Sequence, residues 1–275
     1  MKTYLRCPIH VSTMEYPFKA PEHVQKAADE LKERCEQYRK NTDINYLIPI
    51  DSKEYEEVLA FAKEYKSFFH SNLFYQHKFT KKEMNEANYY LLECSGTQVE
   101  LLYEENELYA HCCKDSHCRK KQIGNYRIKK SSIKNRVITM SYDGRYIISK
   151  ELKEVFEKEQ LTNLKLLPVY DIKGIEIVAY QMETANTLPP LAEINGWNVY
   201  KECGYCKEKR WHGIYGIAHP FYIPIGWDKE LGDINMTSEV FSDSYSRYYI
   251  ISKKMYEILL SMQAKKLACE PIIPI

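Results

Sequence analysis

The sequence predicts an α+β protein in which a helical N-terminal segment, residues 1–95, precedes two tandem β-rich copies, 96–185 and 186–275. Three observations predict it: apolar residues spaced by three and four through the first ~90 positions, a segment that recurs 103 residues later, and a cysteine cluster ahead of each recurrence. The composition suits a buried core, because 44% of the 275 residues are hydrophobic and glycine and proline are few. Disorder is excluded as the main theme.

The first predicted helix covers 21–41, where Val24, Ala28, Leu31, Cys35 and Tyr38 recur at helical spacing and Pro21 suits a first turn. A second runs from 52 to about 69, with Val58, Leu59, Ala62, Tyr65 and Phe69 on one side. Thr80 and Glu83 form a capping box for a third. Beyond these, β-like runs occupy 89–94, 99–103, 107–112, 136–141 and 164–169, interrupted by a helix over 150–160.

Residues 146–169 read YIISKELKEVFEKEQLTNLKLLPV and residues 249–272 read YIISKKMYEILLSMQAKKLACEPI; nine of the 24 aligned positions are identical. Leu152/Met255, Val155/Ile258, Phe156/Leu259 and Val169/Ile272 are conservative. Each copy reads as a strand, a helix capped by Ser149 or Ser252, and a second strand reaching proline. Pro189 and Pro190 mark the boundary between copies.

Nine cysteines make an odd count, and clustered thiols in a reducing compartment are metal ligands more often than disulfides. Cys203 and Cys206 have the C-x2-C spacing that points two thiolates at one ion, with Gly204 permitting a tight turn. In the first copy Cys113 and Cys118 have C-x4-C spacing, with Cys112 as the alternative first ligand. Structural zinc takes four ligands, so joining Cys113 (or Cys112), Cys118, Cys203 and Cys206 across the copies predicts one tetrahedral zinc per chain. His111, His117 and His212 could serve separate mixed sites, and reduced thiols in loops are the plainer alternative. Cys7, Cys35, Cys94 and Cys269 sit singly in apolar segments and read as core.

The near balance of 39 basic and 38 acidic residues excludes a global field that recruits polyanions. One local exception exists: residues 112–136 hold nine basic residues against the single acid Asp115. That stretch supports an alternative function, a zinc-dependent nucleic-acid-binding module, against a solvated loop or a face for an acidic partner. No apolar run reaches the ~18 residues of a membrane span and the N-terminus lacks a signal-like hydrophobic stretch, so a cytoplasmic protein with no membrane partner is expected.

The two cysteine knuckles, both YIIS units and Gly226-Trp227-Asp228 together resemble the double-CXXCG family of bacterial proteins, associated with immunity against polymorphic toxins, and related immunity families. The resemblance covers about 108–275. Arg119 and Lys207 stand where that family's motif has glycine after the second cysteine. The resemblance implies a cytosolic immunity protein whose partner is a cognate protein toxin, neutralised by occlusion. No catalytic residue is expected, because nucleophile, base and charge stabiliser show no convergent spacing. The loop 211–227, with Trp211, Tyr215, Phe221, Tyr222 and Trp227, is the candidate anchor for the toxin or else a core plug.

Overall fold

The computed structural model describes residues 2–11, 19–39, 45–65, 68, 74–94, 98–102, 105–111, 113–114, 120–189, 197–213, 231–241, 247–265 and 267–272. They fall into two compact units. One comprises the described residues up to Glu83 with Trp197 and Gly213, and the other comprises the rest. Helices and antiparallel sheets are both present, as an α+β chain requires.

The first unit contains β1 (Lys2–Cys7), α1 (Glu22–Cys35), β2 (Tyr46–Pro49), α2 (Lys53–Glu64) and β3 (Phe74–Lys78). The helices follow the predicted spacing: α1 buries Val24, Ala28, Leu31 and Cys35, and α2 buries Val58, Phe61 and Ala62. Ser52 caps α2 by accepting the Tyr55 N–H at 3.3 Å. The segment expected to be mainly helical also carries a sheet, because β1 pairs antiparallel with both β2 and β3 to make three strands in the order β2-β1-β3. Only Leu5 and Cys7 of β1, and Tyr46 and Ile48 of β2, are fully buried, and two inward residues per strand leave too short an alternation to stand out in sequence. Both single cysteines here are core, with burial pushing the Cys7 thiol up to about 12 and Cys35 up to about 11, so they behave as small apolar side chains.

Along the chain there follow α3 (Lys81–Glu86), β4 (Tyr89–Leu91), α4 (Glu105–Leu108), β5 (Tyr109–His111), β6 (Lys120–Gln122), α5 (Lys130–Ile133) and β7 (Ile138–Met140). Next come β8 (Tyr146–Ile148), α6 (Lys150–Lys158), β9 (Lys165–Tyr170), β10 (Ile177–Glu183), β11 (Trp197–Glu202), β12 (Lys209–Gly213), β13 (Ile234–Met236) and β14 (Val240–Phe241). The last are β15 (Tyr249–Ser252), α7 (Lys253–Ser261) and β16 (Glu270–Pro271). The Thr80–Glu83 capping box forms as predicted: Thr80 N–H donates to the Glu83 carboxylate at 2.7 Å, and Glu83 N–H to the Thr80 hydroxyl at 3.2 Å. The expected strand over 99–103 is reduced to a single bridge from Val99 to Ser141.

The second unit's two largest sheets have the orders β7-β8-β10-β9 and β13-β15-β4-β16, with antiparallel neighbours throughout. In each, the YII strand is second and the strand that closes the recurring segment lies at an edge, with a third strand between them. β10 fills that place in the first sheet. In the second the place is taken by β4, which precedes both recurring segments in the chain, so Tyr89–Leu91 belongs to a sheet with residues past 233.

Both sheets face one core. Tyr146, Ile148, Leu152 and Phe156 enter it beside Tyr249, Ile251, Met255 and Leu259, the residues 103 positions later. Tyr146 and Tyr249 meet edge to face, their ring centroids 5.3 Å apart. Val155 and Ile258, expected in the core, are only half-buried, Ile258 packing against this cluster. The helix ends also correspond, since Gln160 and Gln263 both turn left-handed, with φ of 52° and 51°, just past α6 and α7. The hydroxyls of Ser149 and Ser252 each accept the N–H three residues on, at 3.2 Å, and Ser252 alone also donates to Asp233 at 2.6 Å. Ser149→Ala is therefore expected to cost about 1 kcal/mol, and Ser252→Ala more, because it also strips a partner from the Asp233 carboxylate. Urea unfolding of the two variants measures the difference.

Candidate metal centre

The cysteine clusters are placed by strand ends. β5 delivers the chain to Cys113, β11 delivers it to Cys203, and the turn Gly204–Cys206 returns it into β12. Tyr109, the first residue of β5, has its hydroxyl 2.8 Å from that of Tyr126, and both donate to the Asp143 carboxylate, which Ser141 also supplies. The strand leading to Cys113 is thus tied at its base to a buried polar knot. Burial pushes the Asp143 carboxyl up to about 6, against the pull of the Arg145 guanidinium.

In the turn, Cys203 N–H donates to the Glu208 carbonyl at 3.0 Å and Lys207 N–H to the Cys203 carbonyl at 3.1 Å. The Tyr205 and Cys206 N–H groups point at the Cys203 sulfur at 3.4 and 3.5 Å, which favours a thiolate there. The left-handed residue is Lys207, with φ of 60°, at the position where the resembled motif has glycine. A lysine holds this conformation at a cost of about 1 kcal/mol. Gly204 is not needed for the tightness of the turn, because a Cβ there would meet nothing within 4 Å.

The two clusters converge. The ligand atoms of Cys113, Cys203 and Cys206 all lie within 4.8 Å of one another, and the Cys113 and Cys203 sulfurs are 3.5 Å apart. That separation is far beyond the ~2.0 Å of a disulfide. It is close to the ~3.8 Å edge of a tetrahedron of sulfurs each about 2.3 Å from a central ion. Three of the four predicted ligands are therefore near enough to bind a metal ion together. Among the described residues no other group of three metal-ligating side chains comes as close. Cys118, the fourth predicted ligand, and Cys112, the alternative to Cys113, lie outside the described residues, as do the loop 214–230 and the side chains of His111, His117 and His212. Cys203 is buried and Cys206 exposed, so the triad sits at a surface step. Cys113 and Cys206 face a cleft of about 680 Å³ whose walls carry Lys121, Arg145 and Glu183.

Sequence reasoning missed the polar groups that support this region. Gln122 on β6 and Gln181 on β10 exchange amide hydrogen bonds of 3.0 and 2.8 Å, and Arg145 donates to the Tyr249 hydroxyl at 3.2 Å while lying 3.7 Å from Glu183. The one available signal was the Asp143-Gly144 turn, in which Gly144 takes φ of 79°.

A second carboxylate is perturbed away from the cysteines. Burial and the neighbouring Glu93 push Glu270 up to about 7. A folded-state value above the ordinary one gives stability that is complete at low pH and is lost as the pH rises through about 7. Unfolding free energy is expected to fall by about 2 kcal/mol between pH 5.5 and 8, and Glu270→Gln should flatten that slope. Urea titrations at the two pH values test it.

Comparison with protein-family models and with curated proteins returned no match. Among the described residues no helix is long and apolar enough to cross a membrane.

Proposed function

We propose that the chain is an immunity protein that neutralises a cognate bacterial toxin by occlusion, held in shape by one structural zinc. The observation that carries this reading is the convergence of Cys113 from the first cluster with Cys203 and Cys206 from the second, the pairing of knuckles that four-coordinate zinc demands. Cys118 is assigned as the fourth ligand. Four thiolates leave no open position on zinc, so the ion organises the fold and performs no chemistry. The reducing cytoplasm suits such thiolates. The regions 96–185 and 186–275 are read as tandem copies, supported by equal helix bounds, caps and left-handed C-terminal residues at an offset of 103.

Two measurements test the proposal. Elemental analysis of protein purified without chelator should find one equivalent of zinc, and well under one equivalent would reject the centre. Co-expression with a toxin encoded beside the gene should restore growth and give a complex; failure of both would reject the immunity reading. If Tyr215→Ala or Tyr222→Ala abolishes rescue in a folded protein, the loop 211–227 is the anchor.

A further inference from the structure

A second cleft, of about 810 Å³, opens between α5 and the start of α6. Its floor is aliphatic: Ile133 and Val178 are each 9% exposed, and Val137 and Met262 are half-buried beside them. Its rim is basic, with Lys130, Lys134, Arg136 and Lys150. The two acids present are already engaged. Glu176 pairs with Lys130, and Glu151 is held by the Ser149 side chain and its own backbone N–H at the first turn of α6. Lys134 and Lys150 have no ion pair among the described residues, and the positive end of the α6 dipole opens onto the same space. Just beyond Glu176, Ile172 and Ile175 stand 54% and 78% exposed on a turn fixed by Asp171, which accepts the Ile175 and Glu176 N–H groups at 2.8 and 3.0 Å.

We propose that this cleft docks an acidic segment of a partner protein that carries aliphatic side chains. The inference rests on the reading that the chain acts by binding another protein, and it assigns part of that contact to residues at α5 and the start of α6. Charge complementarity fixes the sign of the partner, since carboxylates meet a rim of four basic side chains against two acids, with Lys134 in no ion pair among the described residues, and a helix N-terminus. The floor fixes its apolar component: leucine, isoleucine or valine fills a slot of this size and lining. A nucleic acid fits less well, because among the described residues no aromatic side chain lines the cleft to stack a base.

The probe is a fluorescent twelve-residue peptide of repeated Glu-Glu-Leu, titrated by anisotropy into the full chain, with a Gln-Gln-Leu peptide as control. Saturable binding of the acidic peptide alone is expected, weakened about tenfold by Lys134→Glu combined with Lys150→Glu. Both lysines are exposed and an acid in a first helical turn is favourable, so the variant should keep its metal content and circular dichroism. Absence of saturable binding, equal binding by the variant, or tighter binding of a mixed-sequence RNA that the same variant abolishes would each overturn the proposal. The immunity reading is separable: growth rescue that survives in the double variant sinks the cleft alone, whereas failure of the wild type to rescue, with peptide binding intact, sinks the immunity reading alone.

Discussion

Cys203→Ser is expected to lower bound metal to below about a tenth of an equivalent and to depress the thermal midpoint by about 10 °C or more. Cys203 is the buried member of the triad, and two backbone N–H groups already point at its sulfur. A hydroxyl there neither ionises at neutral pH nor matches the preference of the ion for sulfur. Without metal, no ion holds Cys113 and Cys206 to one point, and the turn loses that tie to the strand end beyond β5. The loss should remain local at first. The core shared by the two four-stranded sheets contains none of the three ligands, so far-UV circular dichroism at 20 °C should change little. Cys35→Ala supplies the contrast, since it should cost stability through a small cavity in the first unit and leave metal content unchanged. Elemental analysis and a thermal scan on the two variants decide it; full metal retention by Cys203→Ser would remove Cys203 from the centre.

Leu152→Asp and Met255→Asp should each destabilise by about 4–5 kcal/mol or more, enough to bring the second unit close to unfolding at 25 °C. Both side chains are fully buried in the same cluster, on corresponding turns of α6 and α7. An aspartate at either place has no cation to pair with inside that apolar cluster, and the lost packing adds to the desolvation penalty. Because the two positions share one core, their effects should not add in the double variant. Chemical denaturation checks both statements, and a loss under 2 kcal/mol at either site would contradict the assigned burial.

The parts of this fold that could be read in sequence are those decided within a few residues. Helices α1, α2, α6 and α7 follow from apolar spacing, with serine caps on the last three, and the recurrence at 103 residues located the paired core positions. Pairings decided at long range could not be read. Nothing near Lys2 says that β1 takes β2 and β3 as neighbours, and nothing near Tyr89 names Tyr249 as its sheet partner. The candidate site shows the same division. Spacing picked out Cys203 and Cys206 and their meeting with Cys113, because tetrahedral coordination demands more ligands than one turn carries. The left-handed Lys207 and the hydroxyls around Asp143 escaped, since lysine carries no preference for positive φ and an isolated tyrosine in sequence does not reveal a partner 17 or 34 residues away.

The placement of β4 bears on how the protein emerges from the ribosome. Tyr89–Leu91 is synthesised about 160 residues before β15 and still further before β16, its two sheet neighbours. At roughly 5–20 residues per second, β4 must wait on the order of 10 s or more with both edges unpaired, while the sheet of β7 to β10 can form beside it. During that interval an apolar strand with open edges is an aggregation hazard, and a nascent chain arrested before residue 249 cannot close the second sheet. Synthesis through β16 is therefore the event that completes this sheet, and the arrival of that long-range partner, more than any local step, should set the rate at which it forms.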